Sequence, residues 1–143
     1  VQFCMSMETN NGAQSTQKSV ISIPTRYNGP DLKFVVDQTG LSVNELIEYH
    51  SAPLYRVFFI GFLPGFAYLG GLDSRLHCPR KTVPRTVVPA GSVGIGGAQT
   101  GIYPMESPGG WQLIGQTDLP LFRPYETSMT LLSMGDYVQF IPQ

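Results

Sequence analysis

The sequence predicts a mainly β fold that carries one short helical pair. Three observations lead there. Short pieces rich in β-branched and aromatic residues recur from residue 55 onward, turn signals separate them, and helical periodicity is confined to residues 30–53. Many short strands with helices at one end suit a closed or nearly closed β-barrel. At 143 residues, 42% of them hydrophobic, the chain can bury one core and is too short to need a second.

The elements follow in order. Residues 8–19, ETNNGAQSTQKS, are almost wholly polar and aperiodic. Residues 1–19 therefore read as a lead-in or linker from a preceding domain, and 20–143 as the folded domain. Residues 20–23 form a short apolar strand ended by Pro24. Pro30 suits a first helical position, Leu32, Val35 and Val36 share a face, and Gly40 supplies the left-handed stop. Ser42 and Glu45 make a capping box for a second helix, along which Val43, Leu46, Ile47 and His50 recur at helical spacing. Residues 55–63, YRVFFIGFL, read as a strand buried on most of both faces. Further strands are expected at 87–88, 93–95, 111–114, 130–132 and 137–141.

Nine basic residues against ten acidic ones give a net charge of -1, so no general pull toward nucleic acid or acidic membranes is expected. No apolar run approaches the roughly 18 residues that span a bilayer. Cys4 and Cys78 are distant and carry no metal-ligand spacing; with no secretory signal over residues 1–7, they read as reduced thiols of a cytoplasmic protein.

Residues 61–110 hold eleven of the 16 glycines and six of the 12 prolines. The run GSVGIGGAQTG over 91–101 lacks the crossover helix of a dinucleotide fingerprint and the Gly-Lys-Ser/Thr of a phosphate loop. No acidic residue lies between Asp73 and Glu106, whereas Arg75, Arg80, Lys81 and Arg85 all do. These cations either grip a carboxylate or phosphate, for which the arginine fork is suited, or pair with remote acids. His50, on an apolar helix face, reads as a structural histidine or as a base. No metal-ligand set and no Gly-x-Ser-x-Gly elbow is present. Phe62, Phe66, Tyr68, Tyr103 and Trp111 surround the glycine loops, as core, pocket wall or contact surface.

The stretches GFLPGFAYLGGLD (61–73) and PRKTVPRTVVPAGSVGIGGAQTGIYPMESPGGWQLIGQT (79–117), with GPDL (29–32), TGLS (39–42) and YRVFFIGF (55–62), closely resemble the B subunit of bacterial ATP-dependent 5-oxoprolinase. That family includes the sporulation kinase inhibitor KipI and allophanate hydrolase subunit 1. The resemblance implies a cyclophilin-like β-barrel, a preceding α/β domain, and two partners, a homologous C subunit (KipA-like) and an A subunit. It implies ATP-coupled opening of 5-oxoproline to glutamate as part of a hydrolase that is inactive in single subunits. ATP would be held here or on a partner.

On that reading Arg80, Arg85, Gln99 and Tyr103 are the expected substrate- or anion-binding residues. Phe66, Tyr68, Pro89 and Trp111 are the expected pocket or partner surface, and His50 is the candidate base. A KipI-like role, inhibiting a sensor histidine kinase through the aromatic and proline loops, is the alternative. Carboxyl transfer ranks last, since it would need a biotin carrier elsewhere.

Overall fold

The computed structural model describes residues 20–143. The lead-in read over 1–19, with Cys4, lies outside them.

Twelve elements follow one another: β1 (Val20–Thr25), α1 (Leu32–Thr39), α2 (Val43–Ser51), β2 (Tyr55–Ile60), β3 (Ala67–Gly70), a 3-10 turn (Ser74–Leu76), β4 (Arg85–Val88), β5 (Ser92–Gly96), β6 (Gln99–Ile102), β7 (Ser107–Gly109), β8 (Gln112–Gln116) and β9 (Tyr137–Pro142). Among the described residues seven strands form one sheet in the order β1-β9-β2-β3-β6-β5-β8, while β4 and β7 form a two-stranded sheet. The β1–β9 pair is parallel and its neighbours are antiparallel.

The ends of the seven-stranded sheet meet. Arg26 and Gln116 exchange backbone hydrogen bonds of 2.9 and 2.8 Å, and the N–H groups of Gly29 and Asp31 donate to Ile114 and Leu113 at 3.0 and 2.9 Å. The chain that leaves β1 thus satisfies the outer edge of β8, which would otherwise expose unpaired backbone groups. The result is a nearly closed barrel, with α1 packed against β8 and α2 against β9.

Both helices start and stop where local chemistry dictates. Ser42 and Glu45 form the reciprocal capping box, and Gly40 ends α1 with φ +76°. Pro30, expected at the first helical position, instead stands two residues before it, because Asp31 occupies the N-cap position, without capping through its side chain, and Leu32 begins the helix.

Strand β2 departs further from expectation. Tyr55 and Val57 are buried, but Phe58 and Phe59 are 46% and 51% exposed. Hydrophobicity on both faces therefore reports one core face and one surface face, not two buried ones. Residues 130–132 form no strand and make only a bridge from Thr130 to Phe122. The strand expected at 93–95 is present as β5, and the glycine-rich run 91–101 around it continues into β6 as the hairpin β5–β6. Gly97 at its turn takes φ +63° while Ala98 does not take positive φ, the pattern of a type II′ connection.

His50 lies in the core at 0% exposure. Its Nδ1 is 2.7 Å from the Tyr27 hydroxyl and its Nε2 is 2.9 Å from Thr100 Oγ1. Thr100 donates its own proton to the Gly94 carbonyl at 2.8 Å. That hydroxyl can therefore only accept from His50, which places the imidazole proton on Nε2 and makes Tyr27 the donor to Nδ1. Burial pushes the Tyr27 hydroxyl up, so it keeps its proton. A chain of three hydrogen bonds then ties α2, β5, β6 and the segment after β1 together.

Burial also holds the imidazole neutral, lowering its pKa from 6.5 to about 3. The unfolded chain takes up this proton below about pH 6.5 and the folded chain does not. The histidine's contribution is therefore complete above that pH and falls as pH drops toward 3, by at most ~1.4 kcal/mol per unit. Urea unfolding should show about 2–3 kcal/mol less stability at pH 4.5 than at pH 7.5. His50→Gln should flatten that dependence, and an equally steep curve in the variant would exclude His50 as its source.

Candidate functional site

A pocket of ≈ 340 Å³ opens where the second, satellite core reaches the surface. Its apolar walls are Phe66, Tyr68, Trp111 and Phe62, with Pro84 and Pro108 at the sides; Arg80, Lys81 and Tyr103 bring the polar groups. That size lies within the range of small-molecule sites.

The aromatic walls are fixed by edge-to-face contacts. Phe66 meets Tyr103, Trp111 and Phe62 with centroids 5.2, 5.4 and 5.5 Å apart, and Tyr68 meets Trp111 at 5.9 Å. The glycines of the β5–β6 hairpin make this possible. A Cβ at Gly96 would fall inside the Trp111 indole, and one at Gly94 or Gly101 would crowd the same side chain at 3.2 or 3.1 Å. The glycine-rich run is thus a bed for one indole, a use of close approach rather than of loop flexibility.

Phe62 is held differently. Its φ of +69° makes it the one non-glycine residue at positive φ among the described residues. Leu63 N–H donates across it to the Gly61 carbonyl at 2.7 Å, closing a strained three-residue turn. This turn presents Phe62 at the pocket, 62% exposed.

Tyr103 is buried to 2% exposure. Burial, the largest influence on it, pushes its hydroxyl up, so it enters the site as a neutral phenol.

The cations are arranged by a residue that the sequence reading passed over. Asp31, 8% exposed at its side chain, accepts from both terminal nitrogens of Arg85 at 2.6 and 2.7 Å and from the Leu113 N–H at 2.7 Å. Lys81 Nζ lies 3.8 Å away. Burial alone would raise the Asp31 carboxyl; Arg85, the Leu113 N–H and Lys81 outweigh it and hold the group below the usual carboxylate range. Arg75 is drawn off to Asp73 at 2.8 Å and sits over the Tyr49 ring. Arg80 makes no ion pair among the described residues; its guanidinium carbon lies 5.9 Å from the Trp111 ring.

Of the nine residues singled out from sequence, five meet at the pocket: Arg80, Tyr103, Phe66, Tyr68 and Trp111. Arg85 and Pro89 line a separate cavity of ≈ 160 Å³ beside the barrel seam, and the Arg85 fork is taken by Asp31. The expectation of an Arg85 free to grip an anion is corrected accordingly. Gln99 pairs with Gly96 at the hairpin end and lines neither cavity. His50 is sealed in the core with both ring nitrogens engaged, which places it away from the pocket as a structural group. Among the described residues no group of His, Cys, Asp and Glu could hold a metal ion, and no helix is long and apolar enough to cross a membrane.

Residues 2–132 match the family described as carboxyltransferase domain, subdomain C and D. The chain belongs to this family. Among curated relatives, the 5-oxoprolinase B subunit of Escherichia coli O157:H7 is 52% identical over 92% of the chain and 62% of the relative. The 5-oxoprolinase B subunit of Bacillus subtilis (strain 168) is 50% identical over 87% of the chain and 53% of the relative. A crystal structure of a conserved uncharacterized protein from Pyrococcus horikoshii superposes with a TM-score of 0.84 at 55% identity, covering 87% of this chain and 59% of that one. The chain therefore spans between half and two thirds of the length of these relatives. The likeness bears out the mainly β, barrel-like reading of this carboxyltransferase-family domain.

Two outcomes test the geometry. Asp31→Ala should cost ~3 kcal/mol in urea unfolding, because it strands the partly buried Arg85 and the Leu113 N–H together; Asp31→Asn, which can still accept from Leu113, should cost about half that. The native carboxylate's contribution is complete above pH ~4 and lost below it, as its depressed pKa requires. Gly96→Ala should cost about 1–3 kcal/mol by overpacking and shift the emission of Trp111, the chain's only tryptophan. An unshifted emission would count against the glycine bed.

Proposed function

We propose that this domain is the substrate-binding part of a 5-oxoprolinase B subunit, one component of an ATP-driven hydrolase that opens 5-oxoproline to glutamate. The observation that carries the reading is the pairing of an unneutralised arginine with a small aromatic pocket. 5-Oxoproline is a compact, nearly flat five-membered lactam with one carboxylate. Phe66, Tyr68 and Trp111 offer the apolar faces for the ring, and Arg80 offers a bidentate partner for the carboxylate. The neutral Tyr103 hydroxyl suits the lactam amide. The names and 50–52% identities of the relatives favour this reading over carboxyl transfer.

A lactam resists water because its amide is resonance-stabilised and the ring recloses readily. ATP, when bound, supplies the phosphoryl group that would make the carbonyl oxygen a leaving group. The residues present fit such a group: Lys81 and Arg85 share the single carboxylate of Asp31 and Arg80 makes no ion pair among the described residues, which leaves positive charge for phosphate oxygens. What this chain contributes is binding, orientation and a water-poor wall. Among the described residues the pocket lining contains no carboxylate and no imidazole, so the general base is proposed to come from a partner, either the A subunit or the KipA-like C subunit. The exposed ridge of Phe58, Phe59 and Phe62, which runs through Tyr68 into the pocket, supplies an apolar contact surface for it.

The full-length B subunit, reconstituted with its A and C counterparts, should release glutamate from 5-oxoproline in the presence of ATP. Omitting the B subunit should abolish the activity, and activity that persists without it would overturn the proposal. In the assembled enzyme Arg80→Ala should raise KM about 10- to 150-fold, equivalent to a charged hydrogen bond of roughly 1.5–3 kcal/mol. Because Arg80 bonds to no other side chain in the described fold, stability should be unchanged.

A further inference from the structure

A second cleft of ≈ 380 Å³ lies beside the aromatic pocket, and Arg80 and Lys81 line both. Its remaining walls divide by chemistry. Phe34 on α1 and Val83 are apolar and stand 46% and 75% exposed, while Thr82 adds a hydroxyl beside Lys81. The backbone that carries these cations is pinned. The buried Gln112 donates from Nε2 to the Pro79 carbonyl at 3.0 Å, and Lys81 N–H donates to the Gly110 carbonyl at 2.7 Å.

Asp31 also borders this cleft, but its carboxylate is occupied by Arg85 and the Leu113 N–H. Arg80 and Lys81 line the cleft beside a carboxylate already occupied by Arg85, which leaves the local charge positive. A plain carboxylate ligand would leave Phe34 and Val83 unused, and an apolar ligand would leave two cations facing nothing. A ligand with a flat heterocycle at one end and several anionic oxygens at the other uses both.

We propose that this second cleft binds a nucleoside phosphate, with its base against Phe34 and Val83 and its phosphates on Lys81, Thr82 and Arg80. The shared Arg80–Lys81 wall then sets the phosphate chain next to the aromatic pocket. The inference rests on the function proposed above only in taking the nucleotide to be ATP; binding is measured without the reaction.

The test uses the full chain and the fluorescence of its single tryptophan, Trp111, near Arg80, with calorimetry as a second readout. The probes are ATP, inorganic tripolyphosphate and adenosine. ATP and tripolyphosphate should both bind, and Lys81→Ala should weaken both by about tenfold or more. Phe34→Ala, an exposed position whose truncation leaves the fold intact, should weaken ATP by about 5- to 100-fold and leave tripolyphosphate unchanged. Absence of ATP binding, or equal binding by wild type and both variants, overturns the inference. So does a Phe34→Ala loss that is the same for both ligands. An assembled enzyme active on 5-oxoproline whose B subunit binds no ATP defeats this inference alone. Nucleotide binding with these dependences, in an assembly that leaves 5-oxoproline intact, defeats only the proposed reaction.

Discussion

Asp31 is the residue on which the site's arrangement depends. Its backbone N–H donates to the Leu113 carbonyl and its carboxylate accepts the Leu113 N–H, so one residue stands in for a whole strand partner at the edge of β8. The same carboxylate holds the fork of Arg85 and lies within ion-pair range of Lys81. Barrel closure, the start of α1 and the placing of the cations are therefore one event. Such a group is costly to desolvate and repays this only with its partners in place. A carboxylate this committed to structure cannot serve as a base, but it can decide which cations stay available. It consumes Arg85, restrains Lys81 and leaves Arg80 alone.

The aromatic pocket depends on a second constraint, one of volume. Trp111 lies where side chains on β5 and β6 would ordinarily stand, and only hydrogen at 94, 96 and 101 leaves room for it. Gly109 yields to the Tyr103 ring in the same way. Packing of this kind holds the indole and the phenol to fixed positions, which a pocket for a small rigid ligand requires. The strained turn at Phe62 is the one wall that departs from this economy, and it forms the part of the pocket that meets solvent.

Periodicity and capping chemistry are local, which is why the helical pair, its boundaries and most strands were legible in the sequence. Ser42, Glu45 and Gly40 act within one turn of chain, and the structure returns them as read. The errors came where a residue's partner is distant. Asp31 sits 54 positions from Arg85 and 82 from Leu113, and its place before a helix suggests an N-cap, a sufficient local explanation that hides the real one. The absence of acids between Asp73 and Glu106 was a true signal of unbalanced charge, yet it could not say which arginine a remote acid would claim. Phe58 and Phe59 misled for the opposite reason: strand propensity measures fit to a pleated surface and is silent on whether that surface is covered. His50 was legible as far as its helix face. Its isolation from the pocket depended on Tyr27 and Thr100, which no spacing connects to it.

The distribution of polar chemistry argues for a composite site. The described pocket contains cations, a neutral phenol and aromatic faces, the parts that bind and orient an anionic ring, and it lacks a group able to accept a proton at neutral pH. The one imidazole fixed in the nearby hairpin network is neutral, sealed and fully bonded. Activity would then require a second surface that brings a base. The exposed Phe58 and Phe59 of β2 pack against Tyr68, Phe62 in the turn after it meets Phe66, and Tyr68 and Phe66 are themselves pocket walls. A partner that buried this ridge would gain apolar area and, in the same movement, exclude water from the substrate beside it. On the proposed function, assembly and catalytic competence would be coupled through one continuous set of aromatic rings.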